Sequence, residues 1–523
     1  MKQNNQSIVI DFLSQPDSYA GGASFVKKIE THISVVFLVG DKVFKLKRAI
    51  KYSYLDFSTL ELRRRYCEAE VAINRRTAPD LYKGVVAVKG DEAEGFHIGG
   101  EGDVVEWLVE MVRFEEDILF DHMGQAGKLS ASMIGDLAES IAKFHMRAEP
   151  MAHVDVLQGL EETIRSNADS FSRFSAGILD PADIDALCHE QRTALLGEIG
   201  KKMVARCKEG RVRHCHGDLH LRNICLIDGQ PTLFDAIEFN ETFAHIDVFY
   251  DLSFLIMDLD HRELGHLANV VMNRYVDVTG DIGGLQCLPL FLSLRATIRA
   301  HVAATAAFQH SDADQSKRLA NEARTYLVSA AQYLSPVNPR LIAIGGLSGS
   351  GKSLTAREIA AYVGAAPGAR LIRSDIIRKQ LAGADPLSRL PAEGYTPEMT
   401  GKTYEALYEQ ARTCLVQGQS VIVDAVFARP EERCTIAAIA HEMDVPFAGL
   451  WLDAPEDVRQ ARVSGRKFDA SDANAAVVTM QQSYDLGIMN WKTIDSSDSK
   501  DVTAIKSREA LGLSIGTDVL KGA

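Results

Sequence analysis

The run His216-Gly217-Asp218-Leu219-His220-Leu221-Arg222-Asn223-Ile224 sets a carboxylate and a carboxamide five residues apart. The next run, from Leu226 to Phe234, ends on a second carboxylate, Asp235. Two short apolar stretches about Asp228-Gly229 read as a hairpin. That hairpin returns Asp235 to Asp218 and Asn223. Phosphoryl transfer asks for such a set: one carboxylate orients an attacking hydroxyl and takes its proton, while an amide and a second carboxylate hold Mg²⁺ on nucleotide phosphates. Two other readings fit parts of the segment. His214, Cys215, His216 and His220 could form a metal cluster, which leaves Asn223 and Asp235 without a task. A plain buried polar loop is the other.

A second constellation, Gly346-Leu347-Ser348-Gly349-Ser350-Gly351-Lys352-Ser353, has the spacing G-x-x-x-x-G-K-S. An apolar run, LIAIGG, leads into it, and Leu354 opens a helical stretch after it. In that strand–loop–helix context the glycines let backbone N–H groups close on phosphates at a helix N-terminus. Lys352 would reach the terminal phosphates and Ser353 would ligate Mg²⁺. Further apolar runs follow. ARLIRSD ends in Asp375, SVIVDAVF carries Asp424, and PFAGLWLDAP leads to a helix with Arg459, Arg462 and Arg466 on one face. Asp424 ends its strand where a carboxylate can approach the metal. For Asp375, an acceptor-side base and a helix N-cap both stand. Arg466 is the candidate to neutralise a moving phosphoryl group; a solvated arginine face is the bland reading.

The supporting elements divide the chain near Val337, where Ser-Pro-Val-Asn-Pro stops a helix. Up to about Arg113 the pattern is β-rich with one charged helix, Thr59 to Arg75; after Phe114 it is mostly helical. HISVVFLVG and DKVFKLK flank a Gly40-Asp41 hairpin turn. The sequence thus predicts residues 1–337 as one module, with lobes of about 20–113 and 114–335, and residues 338–523 as a second.

The H-G-D-x-H-x-x-N loop resembles that of the aminoglycoside phosphotransferase-like kinases, over roughly residues 20–335. The resemblance implies a bilobal protein-kinase-like fold, with Asp218 as catalytic base and Asn223 and Asp235 as metal ligands. Ala236-Ile237 after Asp235 departs from the Phe-Gly of protein kinases. Such a fold needs a strand lysine. Lys45 and Lys47 share a strand face, and Lys45 is preferred because small, apolar Val43, rather than a lysine, then lies toward the adenine. Its glutamate partner is Glu68 or Glu70. Periodicity does not separate them, and the resemblance favours Glu68. Val109-Glu110-Met111-Val112 would be the hinge, with Met111 and Val112 pairing adenine. No G-x-G-x-x-G precedes Lys45, which suits this group better than the protein kinases. The second module resembles the P-loop small-molecule kinases, including gluconate kinase, polynucleotide 5′-hydroxyl kinase and zeta-toxin-like groups. That implies a doubly wound parallel sheet with an arginine-bearing lid, and Asp375 facing the γ-phosphate with Arg378 one turn on.

Composition narrows the partners. With 57 basic and 71 acidic residues the net charge is −14, which argues against a general nucleic-acid coat or polybasic membrane binder. The longest apolar run carries Arg295 and Arg299, and the start lacks a signal-peptide pattern. A cytoplasmic protein is expected. Eight cysteines without a C-x-x-C pair make no disulfide or zinc scaffold. The expectation is a bifunctional kinase using ATP and Mg²⁺ on hydroxyls of small molecules, such as sugars or nucleotide-sugars. The alternatives are a nucleotide-regulated switch protein and, for the second module, a polynucleotide 5′-hydroxyl kinase.

Overall fold

The computed structural model describes residues 6–513 except 20, 21, 23, 53, 54, 92, 94, 152, 153, 386, 387 and 466–470. The chain folds into two compact units. The first runs to Leu160 and resumes at Met203–Asp258; the second joins Glu161–Lys202 to the chain from Leu259 onward.

The first unit is built on a six-stranded antiparallel sheet of β1 (Val26–Glu30), β2 (Ser34–Val39), β3 (Lys42–Lys47), β4 (Tyr82–Asp91), β5 (Gly95–Ile98) and β6 (Val104–Val112), in the order β1-β2-β3-β6-β4-β5. Successive strand residues face opposite sides, and both sides of this sheet are covered. Phe44 and Leu46 join a core with Val9 and Leu13 of helix α1 (Gln6–Leu13). Val43 joins the opposite core with Cys67 and Val71 of helix α2 (Leu60–Asn74). Thr59 starts α2 by accepting the Leu62 N–H on its hydroxyl, as an N-cap should. Beyond the sheet, β7 (Ile224–Ile227) and β8 (Gln230–Leu233) form the expected hairpin about Asp228-Gly229. Asp228 and Gly229 both have positive φ, as a tight turn demands.

The second unit carries a five-stranded parallel sheet of β9 (Leu341–Gly345), β10 (Arg370–Arg373), β11 (Val421–Asp424), β12 (Phe447–Asp453) and β13 (Lys492–Asp495), ordered β10-β11-β9-β12-β13. Central β9 is buried throughout, which is why LIAIG reads as unbroken apolar sequence rather than alternation. The sequence boundary at Val337 falls in the extended stretch between a helix ending at Leu334 and β9. Helix α3 (Gly265–Thr279), upstream of that boundary, lies in the second unit and covers the edge of β10. Asn273 Oδ1 accepts from Leu371 N–H at 2.7 Å and from the Arg370 guanidinium at 2.9 Å. Asn269 and Asn273 donate to Ala369 O at 3.0 and 3.1 Å, and Asp277 pairs with Arg370 at 2.5 Å. An unpaired strand edge is a liability, and these side chains satisfy it from within the chain.

Seven of the eight cysteines are buried and none forms a disulfide. Among the described residues no helix is long and apolar enough to cross a membrane.

Replacing Asn273 by Ala leaves the Leu371 N–H and part of the Arg370 guanidinium buried without their acceptor, at a cost of about 1–3 kcal/mol. Asn273→Ala should therefore lower the urea midpoint of the second unit. An unchanged midpoint would show that α3 does not hold the β10 edge.

Candidate active sites

In the first unit the loop His216–Asn223 is fixed from beneath by Asp251, on the helix Val248–His261. Its two carboxylate oxygens accept the His216 and Gly217 N–H groups, each at 2.9 Å, and one also meets His145 Nε2 at 3.0 Å. Gly217 needs to be glycine: φ is +85°, and a Cβ would stand 2.8 Å from Phe243 O. Burial lowers the pKa of His216 and favours its neutral form. Its Nε2 lies 2.9 Å from Phe234 O and its Nδ1 accepts from Asp218 N–H at 3.3 Å, which fits a neutral ring protonated on Nε2. The histidines of this loop therefore do not gather around a metal. The described residues bring together one potential ligand trio, His145, Cys215 and Asp251, and there Asp251 is committed to backbone amides.

This platform presents Asp218. Asn223 Nδ2 donates to both the Asp218 carbonyl (2.9 Å) and its Oδ2 (3.0 Å), so the five-residue spacing does bring the pair together. The β7–β8 hairpin then delivers Asp235, which sits at φ +61°. Four successive amides fix the segment after the hairpin. Phe234 N–H donates to Asn223 O, Asp235 N–H to Tyr82 Oη, Ala236 N–H to Asn74 Oδ1 and Ile237 N–H to His216 O, at 2.8–3.1 Å. Lys45 Nζ reaches Asp235 Oδ1 at 2.5 Å, and Val43 on the same strand lies in an apolar cluster with Met111 and Cys225.

Two expectations are corrected here. The partner of Lys45 is Glu70, at 2.9 Å, and not Glu68. Glu68 is exposed and pairs with Arg64 along its own helix, because it lies on the side of α2 turned away from the sheet. Met111 and Val112 do not form a free hinge. They belong to β6, paired with Val43 and Lys42, and Val112 donates its N–H to Leu81 O. The chain leaves the sheet only at Arg113–Glu115.

Glu70 serves both lysines, with Oε1 to Lys45 and Oε2 to Lys47 at 2.6 Å. Burial resists its ionisation, but the two ammonium groups outweigh it and hold the carboxyl down to about 2. Lys45 is likewise held well above the ordinary lysine range: burial opposes its charge, and Asp235 and Glu70 prevail. Lys47 also pairs with Glu238, a residue the sequence did not single out. Glu238 lies in an irregular loop, where no periodicity marks it.

In the second unit the glycine-rich loop runs from β9 into helix α4 (Lys352–Ala360). Gly349 and Gly351 take φ of +87° and +94°. A Cβ on Gly346 would stand 2.5 Å from Leu452 O, and one on Gly349 2.6 Å from Arg459 O. Ser353 Oγ donates to Asp424 Oδ2 at 2.5 Å, and Lys352 Nζ donates to Leu347 O within the loop at 3.2 Å. Arg373, at the end of β10, approaches the same Asp424 oxygen at 3.4 Å. Asp375 stands in the first turn of helix α5 (Ser374–Leu381), whose cap position Arg373 holds. The N-cap alternative for Asp375 thus has no place. Burial pushes its carboxyl up, against the pull of Arg373, and the charge of Asp424 adds to the rise.

Lys352, Ser353, Asp375, Arg378, Tyr404 and Asp424 line one cavity of about 1360 Å³. Leu347 and Leu354 belong to the loop and to the first turn after it, while the Ser348 N–H donates to Gln481 at 2.7 Å. The arginine face splits. Arg459 is buried and donates to Ala454 O and Ser348 O; Arg462 donates to Asp498 O. Arg466 lies outside the described residues.

The donor chemistry suits a hard divalent cation at both places: carboxylate and carboxamide oxygens in one, hydroxyl and carboxylate oxygens in the other, without thiolate. The loop also suits phosphate oxygens. Ser350 Oγ is buried in it without a hydrogen-bond partner, and its glycines close the backbone where a side chain would not fit.

Sheet order, loop and hairpin give the first unit the arrangement of a protein-kinase-like fold. Parallel order and phosphate loop give the second a P-loop kinase fold. Comparisons with known proteins bear on the same regions. Residues 341–486 match the AAA domain family. An uncharacterized protein of Mycobacterium tuberculosis is 28% identical over 473 residues, 88% of this chain and 91% of that protein. The adenylyl-sulfate kinase of Myxococcus xanthus is 27% identical over 117 residues, 22% of this chain and 59% of that enzyme. Among solved structures, the choline kinase of Cryptosporidium parvum is 11% identical with a TM-score of 0.40, over 63% of this chain and 95% of its own.

The Glu70 cluster has a pH signature. A carboxyl held near 2 in the fold and near 4.3 in the unfolded chain gives stability that is complete above the unfolded value. That stability is lost as pH falls toward the folded value. Melting of the first unit should therefore drop between about pH 4.5 and 2. Glu70→Gln should flatten that slope and lower stability at neutral pH, and Glu68→Ala should leave both unchanged. Melting curves over a pH series check this.

Proposed function

We propose that the chain is a bifunctional kinase, with an ATP·Mg²⁺ site in each unit and hydroxyls of small molecules as acceptors. The observation that supports it is duplication. Asp218, Asn223, Asp235 and Lys45 converge in one unit, and Lys352, Ser353, Asp424 and Asp375 converge in the other.

ATP with its Mg²⁺ supplies an activated γ-phosphoryl group with its charge partly neutralised. This chain's residues do the positioning. In the first unit Asn223 and Asp235 would hold the metal and Lys45 the phosphates. Asp218, oriented by Asn223, would accept the acceptor's proton as its oxygen bonds phosphorus and the bond to the ADP oxygen breaks. In the second unit Lys352 and the loop amides would hold the phosphates, and Ser353 and Asp424 the metal. Asp375 would take the proton. Its raised pKa suits that task, since a stronger base accepts a hydroxyl proton more readily. The second cavity mixes tyrosines with carboxylates and arginines, a lining that suits a polar, polyhydroxylated acceptor such as a sugar or nucleotide-sugar.

The test is ATP consumption against a panel of sugars, nucleosides, nucleotide-sugars and oligonucleotide ends, with products identified by mass. Lys352→Ala should abolish transfer by the second unit and leave nucleotide binding by the first; Asp218→Asn should do the reverse. Loss of all nucleotide binding in either variant would defeat the two-site reading.

Once an acceptor is known, Asp375→Asn should cut kcat by roughly 10²–10⁴-fold while ATP still binds. Asp375 must be ionised to work. The acid limb of the second unit's pH–rate profile should therefore lie above the ordinary carboxylate range. A limb near pH 4, or unchanged turnover in Asp375→Asn, would remove it from the mechanism.

A further inference from the structure

Asp235 and Glu238 lie three residues apart in one irregular segment, and each is grasped by a lysine of β3. The two lysines share Glu70, so five charges run in line: Asp235, Lys45, Glu70, Lys47, Glu238. The two ends differ. Asp235 is 42% exposed at its side chain, whereas Lys47 is 1% and Glu238 6% exposed. Phe57 closes over the inner end, with Lys47 Nζ 5.0 Å from its ring and Phe239 edge-on to it at 6.3 Å.

A buried ion pair is poor evidence for stability, because desolvation offsets most of its attraction. An apolar pair would fill this space as well, so the charges call for another explanation. The outer pair supplies one. In the proposed function Asp235 takes the metal on a carboxylate whose Oδ1 already holds Lys45, so the metal competes with the lysine for that group. As that competition weakens the bond, Lys45 ties the segment to β3 less firmly, while the amides of Phe234 to Ile237 hold it to other elements. The inner pair is out of reach of any ligand and meets no such competition.

We propose that Glu238 is a positioning residue for Asp235. Its pair with Lys47 anchors the segment to β3 while the metal competes with Lys45, and it does so where Ala236-Ile237 replace the Phe-Gly of protein kinases. The inference rests on Asp235 being a metal ligand. Groups that support a ligand from behind commonly change metal affinity by 10–100-fold when lost.

The experiment uses the full chain carrying Lys352→Ala with Ser353→Ala, which removes both the phosphate lysine and a metal oxygen of the second unit, so that Mg²⁺-dependent nucleotide binding reports the first unit. Binding of ATP is measured by calorimetry as Mg²⁺ is varied, alongside melting temperature. If this parent shows no Mg²⁺-dependent binding, the functional reading fails and the assignment of Glu238 falls with it. If the parent shows it, Glu238→Gln should weaken the apparent Mg²⁺ affinity about tenfold or more. Because Glu238→Gln strands a buried lysine and can unfold the segment, a second variant is included. Lys47→Met with Glu238→Leu refills the space without charge, and should restore melting without restoring Mg²⁺ affinity. Recovery of both together would mean that the pair only fills space, and would overturn the proposal. So would parental Mg²⁺ affinity in a folded Glu238→Gln protein.

Discussion

A site that handles phosphate must hold cations in place before any phosphate arrives. Lys45 and Lys47 point from the same strand face into the fold, and like charges so close repel unless something between them is negative. Glu70 is that group, with one oxygen for each lysine. Helix α2 is therefore fixed against β3 by charge as well as by Cys67 and Val71, and Asn74, one turn beyond Glu70, fixes the segment after Asp235 in turn. Strand, helix and loop are positioned by one carboxylate.

The second unit meets the same requirement with backbone. Its phosphate loop relies on amides directed by glycines and on the start of a helix. Side-chain charge is limited there to Lys352 and to the carboxylates beside Ser353. In the proposed function the two units would thus place positive potential at a terminal phosphate by different physical means.

Much of this was legible in the sequence, for identifiable reasons. Asp218 and Asn223 lie just before one short hairpin and Asp235 just after it, and the loop Gly346–Ser353 is contiguous; local spacing determines both. The choice of Lys45 came from strand alternation, which is equally local. The misses are all long-range. Glu70 and Glu68 are near neighbours on one helix, and only the direction in which α2 meets the sheet separates them. Apolar alternation cannot show that Val112, the last residue of β6, spends its amide on Leu81. Glu238 sits in a segment with no period, so nothing but its burial beside Lys47 marks it. Nothing in the local sequence marks Asn273 and Asp277, because their partners lie nearly a hundred residues away in the chain.

The cover that α3 gives to β10 bears on how such a chain can be assembled or dismantled. Proline-rich punctuation invites a cut near Val337, yet such a cut would uncover the outermost strand of the parallel sheet and its row of peptide groups. The second module, as a unit of inheritance, therefore reaches back across its own linker to residue 265. A recombination event that moved only the phosphate loop and its sheet would transplant an open edge, and the recipient would have to supply a helix with two asparagines and an aspartate in register.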